Sequence, residues 1–157
     1  MTNQYIVFSL AGTSYAVPTS QVMHVEMVEG VTQVPNAPSD VDGVVFSRGT
    51  VVPAVNLRAR FGFERTPYDV RTRLLVVAAG GSSVGLIVDG AREFQNIPAA
   101  AIVPPNESLA DSTRRYLQGI ATIAGRLILV LDLARLLEVP EAVVGGADRP
   151  GRTEELR

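Results

Sequence analysis

Hydrophobic residues along this chain come in short runs, rich in valine and isoleucine and separated by glycine, serine, asparagine or proline. They seldom recur at the three- and four-residue spacing of an amphipathic helix, so the pattern predicts many short strands. Residues 5–10 and 14–17 flank Ala11-Gly12-Thr13, and residues 74–79 and 84–88 flank Gly80-Gly81-Ser82-Ser83, which predicts two hairpins. Further strands are predicted at residues 24–28, 51–55, 93–97, 117–123 and 127–131, and short helical pieces at 57–61, 98–101 and 132–137.

The strands repeat. The stretch from Gly43 through Val44-Val45-Phe46-Ser47-Arg48-Gly49 to Phe61 lies over Gly119 through Leu137 without a gap, with glycines at the same two places and an apolar run ending in Asn56 or Asp132 before a leucine. Upstream, Gly12 falls on Gly81 and Val34-Pro35 on Val103-Pro104, with extra residues at 106–113 in the second copy. The two halves are residues 5–62 and 73–138, joined by a linker at 63–72 and followed by a Gly- and Pro-rich segment at 139–157 read as a flexible tail; residues 1–138 make one domain. Each half offers about five short strands, enough to curl into a small barrel, so the fold class is mostly β. Asn56 and Asp132 stand where strand gives way to helix, and a side-chain oxygen there caps the first-turn amides.

Composition narrows the function. The chain has 157 residues, 46% of them apolar and 19% charged, with a mean hydropathy of +0.21, which excludes a disordered polyelectrolyte. Net charge is −2 and all 14 basic residues are arginines, with no run longer than Arg114-Arg115, so neither nucleic acid nor insertion into a membrane is expected. The first residues lack the basic and apolar regions of a signal peptide, and a cytoplasmic location is expected.

Candidate chemistry fails on inspection. Without cysteine there is no thiolate metal site or thiol nucleophile, and the single histidine, His24, has no second ligand at metal-binding spacing, so no metal and no cofactor is expected. Gly81-Ser82-Ser83-Val84-Gly85 fits G-x-S-x-G, but a nucleophile elbow needs a helix after the serine and residues 84–88 read as strand. Asp89 and Asp132 lack the lysine and clustered carboxylates of a phospho-acceptor site, and no lysine exists anywhere in the chain. No catalytic residue is assigned.

Taken in order, Tyr5-Ile-Val-Phe-Ser-Leu10, the segment from Gly43 to Gly62, Val84-Gly-Leu-Ile-Val-Asp-Gly90 and Tyr116-Leu-Gln-Gly119 resemble the CheW family of chemotaxis coupling proteins from about Tyr5 to Leu137. The resemblance implies two interleaved five-stranded SH3-like β-barrels with a few short helices. It implies an adaptor without enzymatic activity, recruited to receptor arrays. Its partners would be the cytoplasmic tip of methyl-accepting chemoreceptors and the regulatory domain of a CheA-type histidine kinase. The alternatives are a small-molecule-binding barrel, which needs a pocket of roughly 300 Å³ with converging polar groups, and a stand-alone regulatory barrel outside any array.

The resemblance also implies partner-binding residues. The glycine and arginine of the family's G-V-x-N-L-R-G fall on Gly43 and Arg48, with Phe46-Ser47 in place of Asn-Leu, and the family's Val-x-Glu falls on Val22 and His24. Histidine where the family has a carboxylate leaves Arg48 to pair with Glu26 or with a partner's carboxylate, or means that the groove takes a different receptor. Each residue has a plainer reading as well: Val22 as core, Gly43 as a close backbone approach shared with Gly119, His24 as a solvent-facing strand residue, and Arg48 as a solvated turn residue.

Overall fold

The computed structural model describes residues 3–105 and 114–137, so the segment 106–113 and the expected tail at 139–157 lie outside the described residues. Its strands are β1 (Gln4–Leu10), β2 (Thr13–Pro18), β3 (Val22–Met27), β4 (Val41–Ser47), β5 (Thr50–Asn56), β6 (Arg73–Ala79), β7 (Ser82–Val88), β8 (Gly90–Asn96), β9 (Ile102–Val103), β10 (Leu117–Ile123) and β11 (Arg126–Leu131). Two short helices, α1 (Leu57–Arg60) and α2 (Leu133–Leu136), follow β5 and β11. Single 3₁₀ turns lie at Thr19–Gln21, where no helical piece is expected from sequence, and at Ala99–Ala101.

Four hairpins share one turn design. Ala11-Gly12, Arg48-Gly49, Gly80-Gly81 and Ala124-Gly125 all have positive φ at both central positions, the geometry whose twist matches that of two strands joined by a two-residue loop. The hairpin turns are therefore tighter than the three- and four-residue spacers that the sequence suggests.

The strands form two sheets, ordered β8-β1-β2-β11-β10-β9 and β3-β6-β7-β5-β4. The first hairpin of each half is exchanged: β1–β2 lies between β8 and β11 of the second half, and β6–β7 lies between β3 and β5 of the first. This interleaves the two barrels. The exchanged hairpins are buried on both faces, which explains their unbroken apolar runs. In β1, Ile6, Phe8 and Leu10 face a core shared between the barrels while Val7 faces the interior of its own; in β6, Leu75 and Val77 face the shared core while Leu74 and Val76 face the other interior. In β4, by contrast, Val45 and Ser47 are buried and Phe46 is exposed, the alternation of a strand with one wet face.

Both expected caps are present. The Asn56 side chain accepts from the Ala59 amide at 3.1 Å and Asp132 from the Arg135 amide at 3.2 Å. One register differs from the sequence alignment. Val103 lies opposite Ile120, and the residue bridging Val44 in the first half is Thr32 rather than Val34, because the proline-rich connection before β4 has a different length from its counterpart.

Candidate docking site

Of the four candidate residues, Val22 and His24 lie on β3 and Gly43 on β4, the two outermost strands of the second sheet, and Arg48 follows β4 in the hairpin turn. These strands share no ladder, yet side chains join them. His24 Nε2 is 2.7 Å from Ser47 Oγ and 2.7 Å from Glu26 Oε2, and the Ser47 hydroxyl donates to Glu26 at 2.7 Å. With the serine proton directed at the carboxylate, the ring turns an Nε2–H toward both oxygens. This triangle closes the sheet into a barrel.

Arg48 stands at the tip of the β4–β5 hairpin, next to Ser47, exposed and with φ +48°. Glu26 is occupied by His24 and Ser47, and among the described residues Arg48 has no hydrogen bond or ion pair. The pairing of Arg48 with Glu26, one of the options left by the sequence, is therefore not made. His24 is half-buried at the seam rather than solvent-facing.

Gly43 is buried at a φ of +148°, and a Cβ there would lie 2.1 Å from the Thr32 carbonyl oxygen. That oxygen accepts from the Val44 amide at 2.8 Å, so the approach is part of the ladder. Gly119 is similarly tight, its Cβ falling 2.7 Å from the Val103 carbonyl oxygen. Val22 is half-buried and packs against the shared core. Arg48 is thus exposed at the tip, His24 bonds Ser47 beside it, Val22 packs on the shared core and Gly43 allows the close backbone approach to Thr32.

Sequence reasoning passed over the apolar face beside Arg48. Phe46 and Val51 are cross-strand partners, 74% and 61% exposed, and Met23 and Met27 on β3 are exposed as well. Phe46-Ser47 replacing Asn-Leu was the available signal.

Ion pairs brace the remainder of the frame. Asp89 takes both Arg58 Nε at 2.9 Å and Nη2 at 2.7 Å, and accepts from the Ala11 amide at 2.8 Å. Burial alone would raise the Asp89 carboxyl, but these bonds outweigh it and hold the group below its usual range. Asp42 behaves likewise: burial opposes the charge, while bonds from Tyr68, Asn56 and Arg65 of the first half and the linker hold the carboxyl down. These carboxylates are structural. Ser83 lies within β7 with no helix after it and donates to Met23 Sδ at 3.2 Å, so the G-x-S-x-G match is coincidental. Among the described residues no cluster of three or more His, Asp or Glu is placed to hold a metal, and no helix is long and apolar enough to cross a membrane.

Known proteins agree with this geometry. The chemotaxis protein CheW of Klebsiella aerogenes is 28% identical over 138 residues, spanning 88% of this chain and 83% of that protein, and that of Helicobacter pylori is 31% identical over 135 residues, spanning 86% and 81%. The protein FrzA of Myxococcus xanthus is 28% identical over 137 residues, spanning 86% and 85%. The crystal structure of the scaffolding protein TtCheW from Thermoanaerobacter tengcongensis superposes with a TM-score of 0.81 at 29% identity, covering 88% of this chain and 94% of that one. A family model for the CheW-like domain matches residues 4–141, and the chain belongs to the family of CheW-like domains.

Proposed function

We propose that this chain couples the cytoplasmic tip of a methyl-accepting chemoreceptor to the regulatory domain of a CheA-type histidine kinase, using the β4–β5 tip and the neighbouring edge of β3 as a docking face. The chain is a scaffold of the chemotaxis kind, without enzymatic activity, as its family membership and its similarity to a scaffolding protein indicate. A cytoplasmic place in a receptor array follows from that role.

The observation that carries the docking face is the exposed Phe46–Val51 pair beside an Arg48 with no partner among the described residues. Aromatic and arginine side chains dominate interface energetics because they offer large contact area and directed bonds at low entropic cost. An apolar stripe flanked by a free guanidinium fits a helix that presents a carboxylate next to its own apolar residues. Individual contacts of this kind are modest, and a repeating array strengthens them through effective concentration.

The test is a binding titration of the full chain against a receptor-tip fragment and, separately, against the kinase regulatory domain. Arg48→Glu and Phe46→Ser are expected to weaken at least one of the two complexes by about tenfold or more, while Arg126→Glu and Leu127→Ser, at the corresponding tip of the other barrel, leave both unchanged. Unaltered affinity in Arg48→Glu and Phe46→Ser, with folding intact, would remove this face from the assembly. Failure of the unmodified chain to bind either fragment at high micromolar concentration would remove the coupling role.

A further inference from the structure

His24 is the single histidine of the chain, and its ring lies between Glu26 on its own strand and Ser47 on β4, the residue before Arg48. Both contacts use Nε2. Nδ1 has no hydrogen-bond partner among the described residues and is not sealed from water. A second proton can therefore enter at Nδ1 with both existing bonds kept, and histidine is the side chain whose charge ordinarily changes between pH 5 and 8.

The neighbouring elements set what that proton meets. Against β3, β6 places uncharged residues from Leu74 to Ala79, and Arg73 at its start bonds the Val70 and Thr72 carbonyls. Neither β5 nor β7 carries a charged side chain, and Asp42 near the start of β4 is held by Arg65 at 3.0 Å. On these elements two charges remain, Glu26 at 2.7 Å from the ring and Arg48 on the exposed tip. With a neutral ring, the Glu26 carboxylate beside the tip offsets the field that the guanidinium presents to a partner. With a charged ring, Glu26 is cancelled and the guanidinium acts alone.

We propose that protonation of His24 is a pH-sensitive control on the β4–β5 tip: mild acid strengthens docking of a partner that presents a carboxylate, by cancelling Glu26 and leaving Arg48 unopposed. The inference rests on the docking face proposed above and assigns its regulation. By linkage the effect is reciprocal, so docking of such a partner draws a proton onto His24.

Calorimetric titration of the full chain with the receptor-tip fragment and, separately, with the kinase regulatory domain tests this at pH 8.0 and pH 5.5 in low salt. For the complex that Arg48→Glu weakens, the unmodified chain is expected to bind about two- to fivefold tighter at pH 5.5. At intermediate pH it should also take up protons on binding, read from the dependence of the heat on the buffer's ionisation enthalpy. His24→Gln, which keeps an N–H donor and cannot titrate, should lose both the tightening and the proton uptake. Glu26→Gln should already bind at pH 8.0 about as tightly as the unmodified chain does at pH 5.5. No tightening or no proton uptake in a chain that binds, or a tightening that His24→Gln retains, would overturn the control and leave the docking face standing. Binding to neither fragment at either pH, or indifference to Arg48→Glu, would remove the docking face and this control with it. Proton uptake is read on the unmodified chain, so it decides the matter even if His24→Gln fails to fold.

Discussion

The β4–β5 and β10–β11 hairpins occupy equivalent places in the two barrels, and they differ in what they leave unsatisfied. Both turn through a residue and a glycine at positive φ, and both lead into a helix capped by a side-chain oxygen. At the first tip Arg48 has no partner among the described residues and Phe46 lies exposed beside Val51; at the second, Ala124 takes the place of Arg48, Thr122 that of Phe46, and only Leu127, 60% exposed, keeps the apolar character of Val51. The barrel edges differ too. The step that carries Gly12 to Gly81 also carries Val7 to Val76, so Glu93 and His24, their respective ladder partners, hold equivalent positions. Glu93 takes Arg126 in an ion pair at 2.8 Å, whereas His24 and Glu26 take Ser47 and leave the neighbouring arginine free. Duplication supplied one frame, and only one of its two tips retains an unpaired cation next to exposed apolar surface.

The largest expected effect tests whether the two frames are equally strained. Gly43→Ala places a methyl 2.1 Å from a carbonyl oxygen that is fixed in a ladder, at a φ that L residues avoid, and is expected to cost about 3 kcal/mol or more. Gly119→Ala meets the Ile102 Cγ2 methyl at 2.5 Å and the Val103 carbonyl oxygen at 2.7 Å, but its backbone is not in the left-handed region, so about 1–3 kcal/mol is expected. Urea unfolding midpoints measure both; a Gly119→Ala loss equal to or above that of Gly43→Ala would show that the first half is not the tighter one.

The caps come next. Asn56→Ala removes a cap and also strands Asp42, which accepts from the Asn56 amide at 2.9 Å, for an expected loss of about 2 kcal/mol. Asp132→Ala removes a cap whose bond is exposed to water, where that of Asn56 is partly buried, and about 1 kcal/mol is expected. Equal losses by thermal melting would mean that Asp42 draws enough from Arg65 and Tyr68 alone.

How far these features could be read from the sequence follows from their locality. Hairpins, caps and the repeat between Gly43 and Gly119 are set by neighbouring residues, and the sequence reading of them carries over to the structure. The double burial of β1 and β6 left a trace in the unbroken apolar runs 5–8 and 74–77, which in the sequence read only as hairpin strands. Exchange of the first hairpins was not legible from the residues themselves, because the halves repeat and either pairing satisfies the same hydrophobic pattern; only the family resemblance implied it. The His24–Ser47–Glu26 triangle was equally hidden, since it joins strands that touch only once the sheet has curled. The proline-rich approach to β4 concealed the bridge from Thr32 to Val44, for there a difference in loop length outweighs the alignment.

Acid separates the frame from its tips. Asp89 has its folded value held below the ordinary 3.8, so the stability it confers is complete above that value and is lost as pH falls from about 4 through the lower folded value. Asp89→Asn should cost about 1 kcal/mol at neutral pH and flatten the decline in unfolding free energy below pH 4. Receptor or kinase binding at neutral pH should stay as it was, because Asp89 braces Arg58 and the Ala11 amide rather than the docking face.

The smallest effect on stability is the sharpest test of the difference between the tips. Arg48 and Ala124 both hold φ near +50°, a conformation that a Cβ makes unfavourable and glycine adopts freely. Arg48→Gly and Ala124→Gly should therefore each stabilise the fold, by about 0.5–1 kcal/mol, raising both melting temperatures together. Only Arg48→Gly should also weaken docking, because it removes the guanidinium assigned to the docking face, whereas Ala124→Gly removes a single methyl from the other tip. A variant more stable than the parent yet poorer at assembly cannot owe its defect to misfolding, which stability-lowering substitutions such as Gly43→Ala could never establish. Were Arg48→Gly to bind as well as the parent, the guanidinium would be a solvated turn residue and the apolar pair of Phe46 and Val51 would have to carry the interface alone.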